Sequence, residues 1–174
     1  MMNIIERLKV RWQGIDYPFL VHSNGALRFS EIAKQEAVDL SDVKSGDVVA
    51  LIGDFEPQSI LTLLELIDKN VILVPLTIDT IAQHEYFFES ALVDVVVERS
   101  SVRRIHHGAK HDFIDELRSN DHAGLVLFST GTTGRPKAIL HDLTLFMQRF
   151  ETPRPTLKTI SFLLFDHIGG LNTL

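Results

Sequence analysis

The stretch GDVVALIGDFEPQSILTLLELIDKNVILVPLTIDTIAQHEYFFESALVDVVVE, residues 46–98, decides the fold. Val48, Val49, Ala50, Leu51 and Ile52 form an unbroken apolar run, as expected of a strand covered on both faces. Pro57 suits the first turn of a helix, and Ile60, Leu63, Leu64 and Ile67 continue it along one face until Asn70 ends it. Residues 71–76 repeat the buried-strand pattern, 80–92 the helical one, and 93–97 form a third strand. Strand, helix, strand, helix, strand in this order implies right-handed crossovers. The expected fold is therefore α/β, with a mostly parallel central sheet and flanking helices.

On the amino-terminal side, residues 3–10 have helical spacing with Asn3 as N-cap. Phe19-Leu20-Val21 and Ala26-Leu27-Arg28-Phe29 flank Ser23-Asn24-Gly25 and read as a hairpin. Ser30 is expected to cap a helix to about residue 38, and 39–47 to form a loop. On the other side, 98–122 reads as a polar connection with a short helix at 113–117. Residues 125–128 are a further buried strand, 138–140 a short strand, 143–150 a helix and 159–165 a strand. All 174 residues are assigned to one α/β unit, with no internal repeat.

Composition narrows the function. Seventeen Lys and Arg against 23 Asp and Glu give a net charge of −6, which excludes the basic excess of a nucleic-acid binder. A single nucleotide is still accommodated, since it needs only local amides and one cation. With no cysteine, disulfides, zinc-thiolate sites and thiol nucleophiles are excluded. No apolar run approaches the roughly 20 residues of a membrane span, and the first eleven residues do not read as a signal peptide, so a cytoplasmic protein is expected.

The chemistry-bearing stretch is Ser129-Thr130-Gly131-Thr132-Thr133-Gly134-Arg135-Pro136-Lys137, directly after a buried strand. Its glycines let backbone approach an anion, successive amides can converge on phosphate oxygens, hydroxyls add neutral donors, and Lys137 adds a compact charge. It is not a Walker A loop, because Arg135-Pro136 separates Gly134 from Lys137. Pro136 biases Arg135 toward extended backbone, so the loop should lead into an extended segment. A Ser/Thr/Gly-rich surface turn is the plain alternative. His106, His107, His111 and Asp112 resemble a metal cluster, but only His107 and His111 have helical spacing, so a solvated loop is expected and no metal site is assigned.

In its order, this loop resembles the phosphate-binding signature of the AMP-forming acyl-CoA synthetase, adenylation-domain and luciferase superfamily, Thr/Ser-Ser/Gly-Gly-Thr/Ser-Thr-Gly-x-Pro-Lys-Gly. Ala138 departs from it, standing where the family usually has glycine. Looser similarity runs through Phe29-Ser30-Glu31-Ile32, residues 46–51, Val74-Pro75-Leu76, His141, and Phe165-Asp166-His167-Ile168-Gly169-Gly170-Leu171. The resemblance implies part of the amino-terminal domain of an enzyme that joins ATP and a small carboxylic acid into an acyl-adenylate, then passes the acyl group to CoA. It implies that Ser129, Thr130, Gly131, Thr132, Thr133 and Gly134 bind the phosphates. Lys137 would offset phosphate charge with Mg²⁺, and His167 would line the acyl pocket, these two being the expected catalytic residues. The family's adenine, ribose and carboxy-terminal lysine elements are not found in these residues, so the chain is expected to be incomplete for catalysis. Two alternatives stand beside this reading, a non-catalytic nucleotide-binding module and an adenylation domain that loads a carrier protein. Uncovered sheet edges lead us to expect a homo-oligomer.

Overall fold

The computed structural model describes residues 3–22, 25–105, 110–129, 134–150, 152, 158–161 and 163–173. Helix α1 (Ile4–Arg11) starts at Asn3, whose side chain accepts the Glu6 N–H at 2.8 Å. Strands β1 (Leu20–His22) and β2 (Gly25–Leu27) pair antiparallel as the expected hairpin. After a short α2 (Phe29–Ile32) come β3 (Val48–Ile52), α3 (Pro57–Asp68) and β4 (Ile72–Leu76). A 3₁₀ helix (Ile78–Gln83) leads into α4 (His84–Ala91), followed by β5 (Val95–Glu98) and β6 (Ser101–Arg104). The rest comprises α5 (Asp112–Ser119), β7 (Gly124–Phe128), β8 (Ala138–Asp142), α6 (Leu143–Gln148) and α7 (Ile168–Leu171).

Six of these strands form one mixed sheet in the order β6-β5-β3-β4-β7-β8. The inner four are parallel, and β6 and β8 turn back antiparallel at the two edges. Every residue of β3 and β4 is buried because helices cover both faces. Val49 and Leu51 point into a layer with Leu63 and Leu66 of α3, Leu143 of α6 and Phe165. Val48, Ala50 and Ile52 point the other way, onto Phe87 and Ala91 of α4 and Ile114 and Leu117 of α5. The remaining face of α3 carries Ile60, Leu61 and Leu64, which pack on Phe29 and Ile32, with Ile4, Leu8 and Trp12 against them. The amino-terminal elements thus form an outer layer over α3. No described helix is long and apolar enough to cross a membrane.

Three expectations need correction. The helix expected at 30–38 is only the four-residue α2, because Val38, Leu40 and Val43 must leave it to reach the layer shared with Val49 and Leu51. The polar connection 98–122 hides β6, an edge strand whose residues are exposed apart from half-buried Val102. Its Arg104 pairs with Asp47 at 2.7 Å, while Arg118 pairs with Asp94 at 3.2 Å, tying down the amino edge of the sheet. The described residues of 159–165 form no strand. Phe165 instead turns inward and is fully buried.

Glu65 of α3 has one carboxylate oxygen buried without a hydrogen-bond partner, and burial, reinforced by Asp68 and partly offset by Lys69, raises its pKa. The folded state therefore holds its proton to higher pH than the unfolded chain does. This penalty on stability is absent below about pH 4.5 and grows as pH rises through the folded-state pKa. We expect Glu65→Gln to stabilise the protein at pH 7.5 by about half a kcal/mol, small because the side chain is partly exposed, and not at pH 4. Thermal melting of both proteins at the two pH values checks this, and an offset that does not change with pH would contradict it.

Candidate functional site

The site is assembled on the carboxyl edge of the sheet, where parallel β3, β4 and β7 all end. Hydrogen bonding alternates along β4. Ile72 donates to Asp47 and Leu76 accepts from Gly53, so these residues face β3, whereas Val71 accepts from Gly124 and faces β7. Pro75 falls on the side facing β7 and has no N–H to give. The β4–β7 ladder accordingly stops at Leu73↔Leu125, although both strands run on to Leu76 and Phe128. Thr77 and Ser129 follow at these adjacent, unlaced ends. Ligands of open α/β sheets bind at such carboxyl ends.

Thr130, Gly131, Thr132 and Thr133 of the predicted phosphate loop lie outside the described residues, but both limbs of the loop are described. The Ser129 N–H donates to the Lys137 carbonyl at 3.0 Å, and the Lys137 N–H donates to Ser129 Oγ at 3.1 Å. Beyond this closure, Phe128 pairs with Ala138 and the chain continues as antiparallel β8. The loop therefore leads into extended backbone, as Pro136 implies and as a Walker loop would not. The Lys137 and Gly134 positions are exposed, and a side chain built at Gly134 would meet nothing within 4 Å. Helix α4 supports both limbs. Phe87 stacks on Phe128 with ring centroids 4.0 Å apart, and the Tyr86 hydroxyl donates to the Pro136 carbonyl at 2.7 Å. The Arg135 guanidinium lies 5.4 Å from the centre of the Tyr86 ring.

The second predicted element docks at the end of β4. Phe165 is fully buried and meets Phe55 edge to face at 5.5 Å, which fixes the segment that follows. The chain then turns tightly. The His167 N–H bonds to Leu164, and a Cβ at Gly170 would lie 2.3 Å from the Leu164 carbonyl oxygen, so only glycine fits there. Asp166 faces inward. Its Oδ2 sits 3.5 Å from Thr77 Oγ1, at the outer limit of a hydrogen bond, and its Oδ1 is buried without a hydrogen-bond partner. The side chain of His167 is 42% exposed, with Nε2 3.8 Å from Asp166 Oδ1. Thr77 is itself braced, since its carbonyl accepts from the buried His84 Nε2 at 2.9 Å and from Thr80 Oγ1 at 2.9 Å.

Of the residues predicted from sequence, Ser129 and Lys137 are brought together, and His167 directly follows Asp166, which meets Thr77 at the end of the neighbouring strand. Tyr86, Thr77 and the inward Asp166 were not singled out. Tyr86 is 50 residues from Pro136, and only the crossover geometry brings them together. His106 and His107 lie outside the described residues. His111 caps α5, its Nδ1 accepting the Phe113 N–H at 3.2 Å. Among the described residues no group of three or more His, Asp and Glu could hold a metal. His141, in β8, stands opposite Leu125, and its neighbour Asp142 accepts both the Leu145 N–H and His122 Nδ1.

No family model and no curated protein matches this sequence. Solved structures do share its fold. The N-terminal subdomain of Klebsiella oxytoca NpsA, in complex with 3-hydroxybenzoyl-AMSN, superposes with a TM-score of 0.54 at 20% identity, over 78% of this chain and 39% of that one. An artificially fused adenylation–PCP di-domain of the same organism, NpsA-ThdA, gives 0.51 at 20% identity, over 78% and 31%. A variant of E. coli MenE with bound OSB-AMS gives 0.50 at 14% identity, over 86% and 35%. At these identities the likeness is one of fold, and this chain spans about two fifths of the NpsA subdomain. The chain thus shares its fold with part of the N-terminal subdomain of NpsA.

Proposed function

We propose, from this shared fold and the loop it presents, that the chain supplies the polyphosphate-binding part of an ATP-dependent enzyme that activates a carboxylic acid as its acyl-adenylate. The observation that carries this reading is the closure of Ser129 onto Lys137, which sets an exposed cation at the carboxyl end of β7. In the proposed reaction a carboxylate oxygen bonds to the α-phosphorus, the bond from that phosphorus to the bridging oxygen breaks, and pyrophosphate leaves. Lys137 and the hydroxyls and amides of residues 129–134 offset the charge gathering on the leaving group. The carboxylic acid lies toward Thr77, Asp166 and His167. Mg²⁺ is a co-substrate carried by phosphate oxygens, and no step is assigned to it.

CoA is the proposed thiol acceptor. The adenylation–PCP fusion among the structural neighbours favours a second acceptor, the thiol of a carrier protein. Calorimetry with ATP on this chain tests the core of the reading, and no heat at millimolar ATP would sink it. Self-association is part of the proposal. The outer edges of β6 and β8 are unpaired among the described residues, and Ile139 of β8 and Leu145 of α6 are 45% and 53% exposed. Light scattering should find a mass above 19.6 kDa at high concentration, and a clean monomer would contradict it.

A further inference from the structure

We infer that Tyr86 is a positioning residue for polyphosphate and acts through the backbone of Lys137. A lysine side chain is a flexible stem, so where its charge can reach depends first on how its main chain is held. Here three main-chain groups around Lys137 are tied. Its N–H donates to Ser129 Oγ at 3.1 Å, its carbonyl accepts from the Ser129 N–H at 3.0 Å, and the preceding carbonyl, that of Pro136, accepts from the Tyr86 hydroxyl at 2.7 Å. The Pro136–Lys137 peptide unit is thus gripped at both polar ends, by Ser129 within the loop and by Tyr86 from α4. Tyr86 is well set for this role. It is half-buried, its neighbour Phe87 stacks on Phe128 at the other limb, and its ring meets the Arg135 guanidinium at 5.4 Å. The Tyr86 hydroxyl therefore orients a peptide plane that belongs to the loop, while the ring packs against the core.

This inference rests on the polyphosphate reading of the loop. Its test is Tyr86→Phe, which keeps the ring and removes only the hydroxyl, titrated with ATP, tripolyphosphate and AMP. Losing one neutral hydrogen bond at the loop should weaken ATP and tripolyphosphate about three- to tenfold. AMP affinity should stay as in the parent, and the melting temperature should fall by no more than a few degrees, as expected for one part-buried hydrogen bond. Unchanged ATP affinity would overturn the inference. So would an equal loss for ATP and AMP, because that assigns Tyr86 to the fold alone. If the parent chain bound neither ATP nor tripolyphosphate, the polyphosphate reading would fail first and this inference with it.

Discussion

Lys137→Ala should weaken ATP binding about ten- to a hundredfold and leave the fold intact. A charge-assisted hydrogen bond contributes about 1.5–3 kcal/mol, and each 1.4 kcal/mol is a factor of ten in affinity. The position is exposed, so truncation opens no cavity, and its main-chain bonds to Ser129 survive the change. Lys137→Arg should recover only part of the loss, since a planar fork replaces a compact ammonium. Isothermal titration with ATP at fixed ionic strength reads the effect. ATP affinity equal to that of the parent would remove Lys137 from the site, and the proposed role of the loop with it.

Phe165→Ala should lower stability by about 3–5 kcal/mol, the usual result of emptying a fully buried aromatic site. That is a large share of the roughly 5–15 kcal/mol by which domains are stable, and for a chain of this size it lowers the melting temperature by about 10 °C. Phe165 has no exposed surface, meets Phe55 edge to face, and shares a layer with Leu51, Leu73 and Leu127. It also leads directly into Asp166 and His167, so its loss should disturb the proposed acyl side of the site as well. Denaturant unfolding decides the matter. A loss below about 1 kcal/mol would mean that this segment is not anchored by its aromatic side chain.

The central strands were legible because they are buried on both faces. Val48 to Ile52 and Val71 to Leu76 read as unbroken apolar runs, which Pro57 and Asn70 separate with a helix start and a helix end. The exit of the loop into β8 followed from Pro136, whose ring restricts the residue before it. What stayed hidden depends on partners distant in sequence. Strand β6 has one half-buried residue, Val102, and its two arginines read as loop. Residues 159–165 looked like a strand from their branched and aromatic side chains, yet Phe165 is held by Phe55 and the core. The anchoring of Pro136 by Tyr86 could not be seen before the crossovers placed α4 beside β8. The glycines after His167 were read as part of a motif, but the reason for Gly170 is steric and lies in the carbonyl of Leu164.

Pro75 makes the sheet uneven in stiffness. Toward its amino side, β4 and β7 are laced by main-chain bonds. Toward its carboxyl side one missing hydrogen ends the lacing, and Thr77 and Ser129 follow the ends of the two strands. Asp166 stands beside Thr77, and Ser129 closes onto Lys137. A residue with an N–H at position 75 would offer β7 a donor and let the lacing run further. Position 75 therefore sets how far these two strands are joined, one of them leading to the proposed acyl side at Thr77 and the other to the proposed phosphate side at Ser129.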